Sequence, residues 1–210
     1  MEEVYKWCNI MEHQKVFSTN IFIKDNFLVP QRLPSMEEEI LYLYSKRNHN
    51  KVWQTGPHLE KSQPFKWFAT DVAKAAFEVL DKLGYEADQL EITDMWGTIL
   101  KQNENHPPHT HSNNFLSGVF YLNSDAETGI IFQDPRPAAD VIVPRKKTKT
   151  NENSNLLSYI SKTNRLIIFP SWLLHWVPIN ESNRNRISIS FNVQIKGQVG
   201  EHHEYQSGQF

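Results

Sequence analysis

His109, Thr110 and His111 form a His-Thr-His triplet whose spacing suits metal chemistry. In an extended chain residues i and i+2 point the same way, so two imidazoles would be offered to one point in space. Neutral imidazole is the commonest protein ligand for zinc, iron, copper and nickel. Pro107 and Pro108 precede the triplet and disfavour a helix there. Two histidines hold a catalytic metal poorly, so a third ligand is needed. His175 is the candidate, in the run Phe169-Pro170-Ser171-Trp172-Leu173-Leu174-His175-Trp176. Taken alone, a histidine in that setting is more often a satisfied core or surface residue than a ligand. Eleven residues on, Arg186 and Ser188 stand two apart in an alternating stretch. Ile187, Ile189, Phe191, Val193 and Ile195 share one face; Arg186, Ser188, Ser190, Asn192 and Gln194 share the other. The polar face either meets water or lines a cavity. In the second case, a guanidinium fork beside a hydroxyl makes a carboxylate receptor.

The elements that must position these groups follow from period and punctuation. Short strands are expected at Val16-Phe17 and Ile21-Phe22-Ile23. Ser35 and Glu38 form a capping-box signature, and the apolar spacing behind it predicts a helix over residues 36–47. The polar stretch 46–61 reads as a surface loop with a short strand at Val52-Trp53. Phe65, Phe68, Val72, Ala76, Val79 and Leu83 predict a helix over 65–83, closed by Gly84. After Gly84 the period changes to two. Strands are expected at 90–100, 115–122, 129–133, 141–143, 165–169 and 186–195. Many short strands with turn signals between them argue for a β-sandwich or barrel. The basic stretch 145–155 reads as a solvated loop.

Composition excludes several classes. A net charge of −2 gives no reason to expect nucleic acid or an anionic membrane as partner. A 12% aromatic content, with six Trp and twelve Phe, argues against disorder. Cys8 is the single cysteine, so an internal disulfide and a thiolate-rich metal site are excluded, and a cytoplasmic location is the expectation. The acidic N-terminus has no signal-peptide pattern, and no apolar run reaches the roughly 18 residues of a membrane span.

In order along the chain, His109-Thr110-His111, Leu116-Ser117-Gly118-Val119-Phe120-Tyr121-Leu122, Asp134-Pro135-Arg136, Phe169-Pro170-Ser171-Trp172 and Arg186-Ile187-Ser188-Ile189-Ser190-Phe191-Asn192 resemble the 2-oxoglutarate/Fe(II)-dependent dioxygenases. The phrasing is similar to a subgroup known mainly from marine bacteria and phages; a phage-encoded member would act in the host cytoplasm. The resemblance covers about residues 90–195. It implies a mainly β protein with flanking helices around a double-stranded β-helix (jelly-roll, cupin-like) core. The whole chain would form one domain, with a strand-and-helix scaffold layer over 1–88, the core over 89–196 and a tail over 197–210. It further implies Fe(II) held by His109, His111 and His175, with Arg186, Ser188 and Tyr121 on the distal carboxylate of 2-oxoglutarate. O2 would be the second co-substrate. The reaction expected is oxidative, a hydroxylase forming succinate and CO2 while acting on a small molecule or a peptidyl side chain.

One departure from the superfamily matters. Its second ligand is usually Asp or Glu, and here that position is His111. Asp134 is the alternative ligand, although an Asp-Pro-Arg turn or a pocket position accounts for it as well. Trp96, Phe132, Asp134, Arg136 and Asn192 are candidate pocket residues, each of which also reads as ordinary core or surface. His106 is expected on a surface loop, with a position supporting the metal ligands as the alternative. His13, His49 and His58 are expected to be solvated, and His202 and His203 to lie in a frayed tail. A tris-histidine zinc enzyme and a non-catalytic cupin-like binding protein are the competing functions; the first leaves Arg186 and Ser188 without a role. A jelly-roll edge is a surface on which homodimers form, but no residue pattern singles out an interface.

Overall fold

Two antiparallel sheets pack face to face, and two helices cover the outside of the larger one. The structure, a computed structural model, describes residues 12–46, 52–124, 129–201, 203 and 205–210. Cys8, His49 and His202 lie outside the described residues. The strands are β1 (Phe22–Asp25), β2 (Trp53–Gln54), β3 (Gln89–Leu100), β4 (His106–His109), β5 (Leu116–Asn123), β6 (Ile130–Gln133), β7 (Leu156–Tyr159), β8 (Arg165–Pro170), β9 (His175–Val177), β10 (Arg186–Lys196), β11 (Gln198–Val199) and β12 (Gly208–Gln209); the helices are α1 (Leu33–Ser45) and α2 (Phe65–Leu83). The large sheet runs β1-β8-β5-β10-β3-β2 and the small one β4-β9-β6-β7. This is the jelly-roll.

Strands buried on both faces explain the continuous apolar runs in the middle of the sequence. On β5, Phe120 and Leu122 meet the helices, while Val119 and Tyr121 meet the small sheet. On β8, Leu166 and Ile168 go one way and Ile167 and Phe169 the other. The helices supply Met36 and Ile40 from α1, and Phe65, Phe68, Val72, Ala76, Val79 and Leu80 from α2. Burying each of the larger of these is worth about 1.5–3 kcal/mol. Gly84 closes α2 with φ 74°, in the left-handed region where a Cβ would be strained. Gly118 is fixed by packing instead, because an added Cβ there would run into the Phe191 ring and the Ile167 carbonyl.

Several local expectations are corrected. α1 begins at Leu33, with Pro34 in its first turn, where a missing N–H costs nothing. Ser35 is therefore inside the helix; its hydroxyl donates to the Arg32 carbonyl and forms no capping box. Val16-Phe17 is not a strand, and Phe17 has φ 55°. Val141–Val143 is exposed and irregular, with no strand pairing to it among the described residues. β7 follows that polar loop and was not legible from its four residues. The tail is partly ordered, since β11 and β12 pair with each other. Among the described residues no helix is long and apolar enough to cross a membrane.

Candidate metal centre

β10 decides how the polar face of the last long strand is used. Its apolar residues Ile187, Ile189, Phe191 and Val193 pack toward the helices, so the alternate set must face the small sheet. Arg186 is 3% exposed and Asn192 5%. Arg186, Ser188 and Ser190 line a cavity between the sheets, together with Tyr121, Val119, Trp96, Thr98, His106, His109, His111 and His175. The polar face therefore lines a cavity.

The three histidines converge. Candidate ligand nitrogens of His109, His111 and His175 all lie within 4.8 Å of one another. β4 and β9 are neighbours, and His109 stands directly opposite His175, with ring centroids 4.3 Å apart. His111 does not reach the cluster by regular strand alternation, because β4 ends at His109. The chain turns, the His111 amide donates to the Ser171 carbonyl at 2.9 Å, and the ring arrives 5.0 Å from His109 and 5.2 Å from His175. Ser171 is itself held from below: its hydroxyl and that of Ser117 are 2.8 Å apart, and Ser117 donates to Asn192 Oδ1 at 2.9 Å.

Backbone carbonyls choose the free nitrogens. His109 Nδ1 lies 2.8 Å from the Pro107 carbonyl and His175 Nδ1 lies 2.8 Å from that of Leu173. A carbonyl only accepts, so both Nδ1 atoms carry the proton and both Nε2 lone pairs are free for a cation. Burial keeps His175 and His111 neutral. It pulls His175 down to about 3, with the other histidines adding to the effect and the Leu173 carbonyl opposing it. Burial, then His109 and His106, pull His111 down to about 4, against the carboxylate of Asp94. Phe169 packs 4.7 Å from the His175 ring and Trp96 5.8 Å from that of His111, which limits the motion of both.

The rest of the cavity is built for negative charge. Nε and both terminal nitrogens of Arg186 are buried without a hydrogen-bond partner, and so is the Tyr121 hydroxyl. Burial lowers the Arg186 pKa, Tyr121 opposing, and raises that of Tyr121. Among the described residues none that line the cavity is acidic. Asp134 lies outside the histidine cluster. Its two oxygens accept from Arg136 Nε at 3.0 Å and from a terminal nitrogen at 2.7 Å, and the Arg136 amide closes the turn at 3.0 Å. That guanidinium holds the carboxyl below its usual range.

Of the other candidate pocket residues, Trp96 lines the cavity, while Phe132 stands behind His175 at 6.0 Å between ring centroids. Asn192 belongs to the hydrogen-bonded support of Ser171. Asp134 and Arg136 border a separate groove of about 790 Å³, with Trp172 and the segment 13–21. Sequence reasoning missed His106, Thr98 and Gln54 as lining residues. Thr98 was within reach, since it alternates with the buried Ile99 and shares a face with Trp96.

The jelly-roll thus brings together three convergent imidazoles that could hold one metal ion, beside a buried guanidinium without a hydrogen-bond partner. Residues 94–192 match the family described as "Putative 2OG-Fe(II) oxygenase". That segment, just under half of the chain, is similar to the 2OG-Fe(II) oxygenases. Solved structures share the fold. A prolyl-4-hydroxylase of Pseudomonas putida is similar at TM-score 0.60 and 10% identity, over 86% of this chain and 95% of that one. HygX of Streptomyces hygroscopicus, with nickel and 2-oxoglutarate bound, is similar at 0.59 and 12%, over 84% and 83%. A Trichoplax adhaerens prolyl hydroxylase, in complex with a hypoxia inducible factor peptide fragment, is similar at 0.60 and 13%, over 85% and 84%. No curated protein sequence matches.

Proposed function

We propose that this protein is an Fe(II)- and 2-oxoglutarate-dependent oxygenase that hydroxylates a C–H bond of a small molecule or a peptidyl side chain. The observation that carries the reading is Arg186. A guanidinium with three buried nitrogens and no partner is costly to fold around, and the cost is recovered only when an anion arrives. A divalent ion and one guanidinium would bring three positive charges to a cavity with no acid among the described residues of its lining. A 2-oxo dicarboxylate answers both ends, with one carboxylate for Arg186 and its keto-acid end for the ion.

The residues fit iron. His109, His111 and His175 would hold it, through the Nε2 atoms that the backbone leaves free on His109 and His175. Asp134 is tied to Arg136 in its turn, which favours His111 over it as third ligand. Arg186 would grip the distal carboxylate, with the Tyr121 and Ser188 hydroxyls beside it. Bound iron would supply the oxidising chemistry: 2-oxoglutarate and O2 would be consumed, one oxygen atom going to succinate with loss of CO2 and the other to the hydroxylated product. The protein contributes ligation, orientation and a cavity walled by Val119, Ile130, Phe169 and Val177. The helix-bearing segment over 1–88 would serve as scaffold for the core over 89–196.

The test is anaerobic titration of the Fe(II)-loaded protein with 2-oxoglutarate, followed in the visible spectrum. A charge-transfer band that appears in the wild type and is lost in Arg186→Ala supports the reading, and succinate release under air extends it. Bound iron without the band would favour the zinc enzyme.

A further inference from the structure

Among the described residues lining the cavity, three side chains carry buried polar atoms without hydrogen-bond partners: Arg186, Tyr121 and His106. The oxygenase reading uses the first two. His106 has no part in it, yet the fold goes out of its way to bring it there.

Between His106 and His109 the strand β4 advances three residues, whereas its partner β9 advances only two, from His175 to Val177. In a regular strand an odd step would turn the two imidazoles to opposite faces. The irregularity absorbs one residue, and both rings meet the cavity, with centroids 4.5 Å apart. Pro107 and Pro108 suit such a step because neither has an N–H that needs a ladder partner. The Pro107 carbonyl accepts from His109 Nδ1 at 2.8 Å, and His106 Nδ1 remains buried without a partner. His106 is not among the three residues whose ligand atoms cluster. It sits one strand pair beyond them, on the small-sheet wall of the cavity that Arg186, Ser188 and Tyr121 line from the large sheet.

We propose that His106 is a recognition residue for the 2-oxo dicarboxylate, donating a hydrogen bond to one of its oxygens from the small-sheet wall and limiting which chain lengths fit. The inference rests on the oxygenase reading. A neutral imidazole has one donor and one acceptor, so it can serve a carboxylate or keto oxygen without adding charge. Its ring also fills space against the ligand's carbon chain, which a smaller side chain would leave open.

The experiment is calorimetric titration of the Mn(II)-loaded protein, with 2-oxoglutarate and with 2-oxoadipate, one methylene longer. His106→Ala is expected to raise the 2-oxoglutarate Kd about tenfold, the usual loss for one hydrogen bond to a charged partner. It should also narrow the preference between the two acids, with Mn(II) stoichiometry unchanged. His106→Gln keeps a neutral donor and should stay within about threefold of the wild type. An unchanged Kd and an unchanged preference in His106→Ala would overturn the proposal. So would loss of Mn(II) from both variants, since His106 would then act only by supporting His109. If the wild type binds no 2-oxoglutarate, or Arg186→Met binds it as tightly as the wild type, the oxygenase reading itself fails, and this assignment with it.

Discussion

Replacing Arg186 by Met should make the ligand-free protein more stable and weaken 2-oxoglutarate binding severely. The two effects have opposite signs because the guanidinium is 3% exposed and none of its nitrogens is paired. Exchanging buried ionic groups for apolar ones of similar size stabilises by about 1–4 kcal/mol. For a chain of this length each kcal/mol moves Tm by about 2–4 °C, so a rise of several degrees is expected. Removing one partner of a buried charge pair costs about 3–5 kcal/mol, which puts the 2-oxoglutarate Kd up by at least about 100-fold. The assay is thermal unfolding of the Mn(II)-loaded proteins, with and without 2-oxoglutarate. Ligand at about 100 times the wild-type Kd adds roughly 2.7 kcal/mol to the wild type, a clear upward shift, and should add no more than about 0.4 kcal/mol to the variant. A variant that melts lower than the wild type without ligand would show that Arg186 is already satisfied. A variant that keeps the ligand shift would show that the carboxylate binds elsewhere.

His175→Ala should lose both metal and activity, read by metal content after dialysis and by succinate release. His111→Asp should retain metal, because it restores the superfamily's usual carboxylate at a ligand position; loss of metal there, or in Asp134→Ala, would contradict the tris-histidine assignment. Gly118→Ala places a Cβ against the Phe191 ring and the Ile167 carbonyl. It should cost about 1–3 kcal/mol in a urea melt, the range for overpacking a core. The metal-free protein should also lose stability in acid. His175 and His111 titrate near 3 and near 4 when folded, below the roughly 6.5 of an unfolded chain, so the unfolded state takes up protons first. Stability should be level above about pH 6.5 and fall below it, by up to about 1.4 kcal/mol per pH unit for each histidine. A flat profile from pH 7 to 5 in urea melts would refute the burial of the cluster.

How much was legible in the sequence varies with the kind of signal. The jelly-roll strands and α2 announce themselves because their periods, 2.0 and 3.6, are set by burial on one or both faces. His109, His111 and His175 could be picked out by residue type and by family phrasing. The way they meet could not, since His111 reaches the cluster through a turn tied to Ser171, a contact 60 residues away in the chain. His106 looked like a loop residue because two prolines follow it, and a strand irregularity that turns it inward leaves no periodic trace. Val141–Val143 has strand-forming residue types but no strand pairing to it among the described residues, whereas β7 has only four residues and an ordinary composition. In both cases the deciding fact is whether another strand lies alongside, which local sequence does not contain.

The prolines of β4 have a consequence for what can approach the metal-bearing wall. β4 is the outer strand of the small sheet, an edge that would ordinarily offer a row of amide donors to any extended chain. Pro107 and Pro108 remove the donors from the two middle positions of a four-residue strand. A peptide or a second copy of this protein that lay alongside as a further strand would find no amide donor at either proline. Backbone pairing along the rim nearest the histidines is weakened accordingly, and side-chain contacts gain weight in what can be recognised there.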